Sequence, residues 1–347
     1  TKVSNSALPY LHGMVSWLHY LSVYKLFNLF KLRISYVLSR LINRPLMYGL
    51  PFAVSIEPTT HCNLRCPQCP SGLRSFSRPT GMLDLNDYQT AIEALKRHLI
   101  HVNLYFQGEP FLNKNLISMI AFAHRHNIHT GISTNGHYMT AEMAKDLIAS
   151  GLDEIIFSVD GLNQESYSTY RIGGTLDTVL SHMRILADEK IKLRSKTPKI
   201  IWQTVVFSQN EQAIDQIKKT YTTYGANALQ LKTAQLYSLS EDAGRRWLPK
   251  NLNWSRYIKT QSGYRLKNSF YNKCWRMWSS CVISWDGRVI PCCFDKDAEF
   301  VMGYIQKQAF NRLWNNEVYQ AFRYKLLNQR AQIEICKNCT EGSKVWI

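Results

Sequence analysis

The sequence predicts an α/β protein: an open, partial (β/α)6 barrel of TIM type, a small C-terminal α+β domain, and a helical N-terminal extension. Three observations carry this expectation. Strand-like and helix-like segments alternate six times between residues 51 and 235, the pattern of a parallel sheet with helices outside, and six units are fewer than a closed eight-fold barrel needs. Beyond residue 235 the alternation stops and residues 236–273 are polar and rich in Trp and Tyr. Residues 16–44 are apolar, aromatic and basic at once. The expected boundaries are therefore 1–50, 51–235 and 236–347. A chain of 347 residues with 45% apolar side chains can bury a core of that size.

The elements follow in order. In the extension, His19, Ser22, Lys25, Asn28 and Lys31 recur every three residues. On a helix that spacing precesses by about 60° per step, so no clean polar stripe forms. A helix or two packed on the main domain is expected, with a membrane-surface or partner-binding role as the alternative. Strands are predicted at 52–58, 101–106, 128–134, 153–160, 198–207 and 227–233, and helices at 85–99, 115–127, 141–150 (capped by Thr140), 175–190 and 210–224. Farther on, "CVISWDGRVIPCC" (281–293) reads as a hairpin turning at Asp286-Gly287, and 311–328 as a helix.

The net charge of +17 invites an acidic partner. Lys and Arg are nevertheless dispersed, and no recognisable nucleic-acid motif is present, so nucleic acid is not expected. Thr1–Gly13 lacks the charged start, apolar run and cleavage pattern of a signal peptide, and no run of 18 uncharged apolar residues would span a bilayer. The nine cysteines fall into tight groups, which fits metal sites in a reducing cytoplasm better than disulfides.

The first group, "THCNLRCPQCP", places Cys62, Cys66 and Cys69 directly after the first strand. Three thiolates can hold three irons of a [4Fe–4S] cluster and leave the fourth open to a small molecule. Structural zinc normally takes four closed ligands, and His61, adjacent to Cys62, is badly placed to be the fourth. A thioredoxin-like Cys66-Pro-Gln-Cys69 would leave Cys62 idle. C-x3-C-x2-C after the first strand resembles the radical S-adenosylmethionine (SAM) superfamily. That resemblance implies chelation of the open iron by the methionine moiety, reductive cleavage to a 5′-deoxyadenosyl radical, and hydrogen abstraction from an unactivated C–H bond. An electron donor such as flavodoxin or ferredoxin is implied too. One departure is Gln68, where many members carry an aromatic residue.

Gln107-Gly108-Glu109-Pro110 ends the second predicted strand and is similar to the family's Gly-Gly-Glu-Pro segment, with Gln for the first Gly. The resemblance implies that backbone carbonyls and Glu109 hold the methionine ammonium. The preceding Asn103–Gly108 also spells a protease tag-removal site, but it lies a third of the way into the chain and has Val102 where that site begins with Glu. "STNG" and "SVDG" follow the third and fourth strands, on the rim where such folds bind ligands. By resemblance, Ser133 and Asn135 lie near the ribose or carboxylate, Ser158 and Asp160 near the ribose hydroxyls, and Arg171 among substrate- or carboxylate-binding groups. Strand-ending turns and a solvated Arg are the plain alternatives.

The remaining cysteines are similar to the auxiliary-cluster domain called SPASM, or to its shorter one-cluster version, twitch. Cys274, Cys292, Cys336 and Cys339 would close a second [4Fe–4S] site. A full SPASM domain needs about seven cysteines here, and this region has six, so one auxiliary cluster is expected. A zinc ion on the same thiolates is the rival. Cys281 reads as core, and Cys293 would point away from Cys292 if both lay on a strand; either could replace a named ligand. Asp295, near the hairpin cysteine, is the candidate proton acceptor by resemblance, with an exposed Asp as the plainer account.

Together these readings describe a radical SAM oxidoreductase that dehydrogenates or otherwise tailors a small sugar-like, anionic or lipid-linked substrate. A peptide- or protein-modifying maturase is the alternative, disfavoured here because the 50 residues before the barrel look too few for a leader-binding module. The terminal "SKVWI" speaks against the Gly-Gly-ended relatives that cyclise GTP. A non-catalytic iron–sulfur or zinc scaffold is the alternative from another class.

Overall fold

A computed structural model describes residues 17–236, 239–267 and 271–340. The readings of Thr1–Gly13, Ser16 and the terminal "SKVWI" lie outside the described residues. The six expected strands are β1 (Ala53–Ile56), β2 (His101–Asn103), β3 (His129–Thr134), β4 (Glu154–Ser158), β5 (Lys199–Val206) and β6 (Ala228–Thr233). They pair in that order, all parallel. The first helix, α1 (Val23–Ile42), precedes the sheet, and α2 (Leu85–Leu95), α3 (Leu116–Arg125), α4 (Ala141–Ala149), α5 (Gln164–Tyr170), α6 (Leu176–Lys192) and α7 (Ile214–Thr220) separate its strands. The Thr140 hydroxyl caps α4 by accepting from the Met143 N–H at 3.1 Å, as expected. The sheet–helix interior is filled by fully buried Val54, Ile56, Val102, Ile132, Ile155, Phe157, Ile200 and Trp202 from successive strands, the near-continuous apolar content of strands covered on both faces.

Two expectations about elements need correction. The strand expected over 101–106 ends at Asn103, because Leu104–Gly108 leaves the sheet to build the loop discussed below. The helix expected over 311–328 is two, α9 (Phe310–Trp314) and α10 (Glu317–Gln329). Asn316 breaks it by capping α10, its side chain accepting from the Tyr319 N–H at 2.9 Å.

The polar stretch after residue 235 forms α8 (Glu241–Trp247) and a ribbon of β7 (Tyr257–Thr260) with β8 (Gly263–Leu266). The hairpin pairs β9 (Ser280–Ile283) with β10 (Arg288–Ile290), and Gly287 supplies the positive φ of +79° that its turn requires. A last short strand, β11 (Gly303–Tyr304), borders β10. This hairpin does not stand apart from the barrel. β9 pairs parallel with β1, Ala53 opposite Ser280 through Ile56 opposite Ile283, so one nine-stranded sheet runs β11-β10-β9-β1-β2-β3-β4-β5-β6.

Candidate active site

The loop after β1 carries Cys62, Cys66 and Cys69 to the carboxyl ends of the strands. A one-turn helix, Pro70–Leu73, follows Cys69, and its Ser71 hydroxyl accepts the Gly108 N–H at 2.8 Å. The Glu109 N–H donates to the His61 carbonyl at 2.8 Å. The Gly-Glu-Pro segment is thereby stitched to the cysteine loop. Gly108 has φ +73°, and a Cβ there would stand 2.3 Å from the Thr59 carbonyl oxygen, so only glycine lets the two backbones approach this closely.

Glu109 is buried, 1% exposed. Its Oε1 accepts from the Thr134 hydroxyl at 2.7 Å and from the Phe111 N–H at 3.3 Å, and Oε2 from the Asn135 N–H at 2.7 Å. These donors are all neutral. Burial outweighs them and pushes the Glu109 pKa up to about 7. A buried carboxylate surrounded by neutral donors fits a positively polarised amino group of a ligand. Asn135 also joins the groups: its amide donates to Asn63 Oδ1 at 2.6 Å and lies 3.9 Å from Cys62 Sγ. Gln107 Oε1 is 3.9 Å from Cys69 Sγ.

Arg171 is not a solvated arginine. Its Nε donates to Asp160 Oδ2 at 2.7 Å, and Nη1 lies 3.9 Å from Cys66 Sγ. Burial disfavours its charge, but the Asp160 carboxylate beside it outweighs burial and holds it protonated, a Cys66 thiolate acting in the same sense. Asp160, expected near the ribose hydroxyls, is buried and engages both oxygens internally, Oδ1 with the Val205 N–H at 2.7 Å and Oδ2 with Arg171. Ser158 is buried at the last position of β4, and Ser133 is half-buried near the end of β3. Thr134, on the other face of β3 from Ser133, was not anticipated, although a hydroxyl one residue before Asn135 is the signal that could have found it.

The second set also gathers. Cys274 lies in the field of Cys339, Cys336 in that of Cys274 and Cys339, and Cys292 in that of Cys293 and Cys339. Burial pushes the Cys336 thiol up to about 12, with Arg330 acting in the opposite sense. Arg276 Nη1 stands 3.4 Å from Cys293 Sγ. Such cationic surroundings suit an anionic thiolate-ligated cluster. Cys281 sits elsewhere, against Tyr319 and Arg323 in the core, as its apolar strand suggested. Because β10 ends at Ile290, strand alternation does not separate Cys292 from Cys293, and their thiols are hydrogen-bonded to each other. None of the nine cysteines is in a disulfide. Among the described residues no three His, Cys, Asp or Glu side chains are gathered as a single ion would need; a four-iron cube holds its thiolates farther apart than one ion does.

Asp295 needs correction as an exposed side chain. It is 1% exposed, and its oxygens accept the Glu299 and Phe300 N–H groups at 2.8 and 2.9 Å, which makes it a brace for its loop. The neighbouring Lys296 lies between the two cysteine sets. Burial lowers its pKa, against the opposing fields of Cys69 and Cys293. The same loop is tied to the first site by Asp297, which accepts from the Ser77 N–H at 3.0 Å, and by the Lys296 carbonyl, which accepts from Arg78 Nε at 3.3 Å. Arg78 in turn forms a buried bidentate pair with Glu57 at 2.6 and 2.8 Å. Breaking such a pair from one side costs about 3–5 kcal/mol.

Residues 56–217 match the family model of the radical SAM superfamily, and residues 274–340 that of SPASM, an iron–sulfur cluster-binding domain. The chain belongs to the radical SAM superfamily. This radical SAM–SPASM protein is 23% identical to the tungsten-containing aldehyde ferredoxin oxidoreductase cofactor-modifying protein of Pyrococcus furiosus, over 83% of this chain and 86% of that one. It is 23% identical to the SAM-dependent 2-deoxy-scyllo-inosamine dehydrogenase of Niallia circulans, over 84% and 93%. With the cysteine-type anaerobic sulfatase-maturating enzyme of Clostridium novyi it shares 26% identity over 82% and 84%. Among solved structures it resembles Streptococcus suis SuiB bound to S-adenosylmethionine, with TM-score 0.60, 13% identity, and coverage of 88% of this chain and 75% of that one. It also resembles BtrN in complex with AdoMet and 2-DOIA, with TM-score 0.52, 21% identity, and coverage of 84% and 94%. These likenesses carry the fold. The radical SAM and SPASM domains imply a SAM-binding and an auxiliary [4Fe–4S] cluster.

Proposed function

We propose that this radical SAM enzyme dehydrogenates a carbinol-type carbon of a small, sugar-like or anionic molecule. The observation that supports the reading is the loop 292–297: Lys296 lies in the fields of both Cys69 and Cys293, and the loop is bonded to Ser77 and Arg78 beyond the first cysteine group. Bound together, the first cluster and SAM supply reductive SAM cleavage and a carbon radical able to take a hydrogen atom, one electron arriving from a donor such as flavodoxin or ferredoxin. The residues divide the rest. Cys62, Cys66 and Cys69 would hold the first cluster, and Gln107, Gly108 and Glu109 the methionine end of SAM. Asn135, Ser133 and Ser158 line the ribose side, and Asp160 positions Arg171 for an anionic group. Cys274, Cys336, Cys339 and Cys292, with Cys293 in reach, would hold the auxiliary cluster. Oxidation of CH–OH to C=O removes one hydrogen atom, taken by the 5′-deoxyadenosyl radical, one proton, taken up by water, and one electron, which an auxiliary cluster held by these cysteines would accept. The dehydrogenase named among the relatives supports this reading.

Peptide maturation is the second reading, supported by the sulfatase-maturating relative and by a mycofactocin maturase of Mycolicibacterium smegmatis, 30% identical over 51% of this chain. The test is anaerobic incubation of reconstituted enzyme with SAM, dithionite and either amino-polyols or cysteine-containing peptides. Substrate-dependent 5′-deoxyadenosine with a product two mass units lighter and carbonyl-reactive is expected from the polyol arm. Turnover of the peptides alone would replace this reading by the second, and no 5′-deoxyadenosine in any arm would reduce the protein to a cluster-binding scaffold.

A further inference from the structure

Helix α1 buries several polar side chains while exposing a broad apolar face. Beside the buried Leu32 and Tyr36, its inward face carries four buried polar side chains, Lys25, Asn28, Ser35 and Ser39. Each serves backbone rather than water. Lys25 Nζ donates to the Asn127 carbonyl at 2.5 Å, and Asn28 both donates to the Leu50 carbonyl and accepts its N–H, at 2.7 and 2.9 Å. Ser35 and Ser39 accept the Tyr48 and Leu46 N–H groups at 2.9 and 2.8 Å. The returning segment 46–50 thus runs along the helix and takes its hydrogen bonds from it. Most of the large apolar residues are left outside. Val23, Phe30 and Leu41 are 80%, 60% and 73% exposed, with Tyr24, Phe27 and Ile42 exposed beside them.

At 3.6 residues per turn these six side chains, with Leu26, Val37 and Leu38, share one arc roughly 160° wide. Lys31 lies toward one margin of that arc, over the Phe27 ring, and Arg40 on the other. Single exposed apolar residues are ordinary, but a continuous apolar stripe margined by cations is an interfacial arrangement, with aliphatic stems lying along the apolar surface and charges at the headgroups. The net charge of +17 adds a field that favours an anionic surface. No helix among the described residues is long and apolar enough to cross a membrane. We propose that the outer face of α1 lies in the interface of an anionic phospholipid bilayer and tethers the enzyme there.

The placement fixes an orientation. Asn127 and Leu50 precede β3 and β1, and the Trp17 ring packs 5.3 Å from that of His101, the first residue of β2. α1 therefore spans the amino ends of the strands, whereas the cysteines and Glu109 lie at the carboxyl ends. A docked molecule turns its catalytic rim away from the bilayer, toward a soluble substrate or the protruding headgroup of a lipid-linked one.

The test is co-flotation of the full chain with vesicles of phosphatidylcholine, with and without phosphatidylglycerol, at low and high salt. Wild type is expected to float with the anionic vesicles and to be released by salt. F27E/F30E should abolish flotation, and K31Q/R40Q should lower it by roughly tenfold or more, each cation near an anionic surface contributing about fivefold. Because Phe27, Phe30 and Lys31 face away from the domain, F27E/F30E should keep wild-type iron content, unfolding midpoint and SAM cleavage, and K31Q/R40Q its iron content and SAM cleavage, Arg40 also lying over the buried Tyr36 ring. Wild type that ignores anionic vesicles, or F27E/F30E that binds like wild type, overturns the proposal. So does a lipid-free dimer that F27E/F30E dissociates, which would assign the face to a second copy of the chain.

Discussion

Glu109 shows what a single residue must satisfy here. It accepts from Thr134, Asn135 and Phe111 and is almost entirely withdrawn from solvent. The carboxylate is the one negatively charged group in the Gly-Glu-Pro segment that a ligand amino group could meet. Replacement by Gln keeps the volume but removes the charge and turns one acceptor into a donor. A hydrogen bond to a charged group contributes about 1.5–3 kcal/mol, so Glu109→Gln is expected to weaken SAM binding by roughly ten- to a hundredfold. Iron content should not change, because the cysteines hold it. Equilibrium binding of SAM beside iron analysis checks both halves; unchanged affinity would remove Glu109 from the binding loop. Its position beside the cysteine loop was legible because Gly-Glu-Pro followed a strand one unit after that loop. Asp295 was not, because "FDKDAE" reads as surface, and only the fold of the 292–300 loop reveals the two N–H groups its carboxylate serves.

Among elements, β1 and β3–β6 were legible from their apolar runs, and β2 was legible only in its first half. "HVNLYF" carries the composition of a longer strand, but Leu104–Phe106 leaves the sheet to position Gln107–Pro110. α1 was misleading in another way, since a helix is normally read with its polar residues outward, and here the buried polar side chains feed a neighbouring backbone. The amino ends of β2 and β3 hold a further device. His101 and His129 are buried with their Nδ1 atoms 2.8 Å apart, and burial lowers their pKa values to about 3 and about 4. In the unfolded chain both protonate below about 6.5, while the folded protein keeps them neutral. The unfolded state therefore binds more protons in that window, and stability falls as pH drops from 6.5 toward 4. His129→Gln retains a hydrogen-bonding side chain without the titration. It is expected to flatten the acid limb by about 2 kcal/mol at pH 4.5 relative to wild type, read from urea midpoints between pH 7 and 4.5. Parallel acid limbs would refute the assignment.

At the scale of the whole molecule, composition distinguishes a barrel from an auxiliary region, but the connection between them was hidden. The pairing of β9 with β1 joins positions more than two hundred residues apart in parallel, and no local pattern marks a strand's neighbour in the sheet. The consequence is mechanical. The hairpin that presents Cys292 is hydrogen-bonded alongside the strand leading to Cys62, while Cys336 and Cys339 arrive separately, on and after the short helix α11 (Glu334–Lys337). Ligand loss in the C-terminal set should therefore empty the auxiliary site without disturbing the first. Wild type reconstituted under anaerobic conditions should carry about eight irons, and Cys274→Ser or Cys336→Ser about four, both variants still cleaving SAM to 5′-deoxyadenosine. Cys281→Ser, in the core beside Tyr319, should keep the full complement. The pair Cys292→Ser and Cys293→Ser then decides which of two neighbouring thiols is the ligand, because only one of them should lower the count. Eight irons in Cys274→Ser would remove that residue from the site, and loss of SAM cleavage in the same variant would show that the continuous sheet couples the two sites rather than merely aligning them.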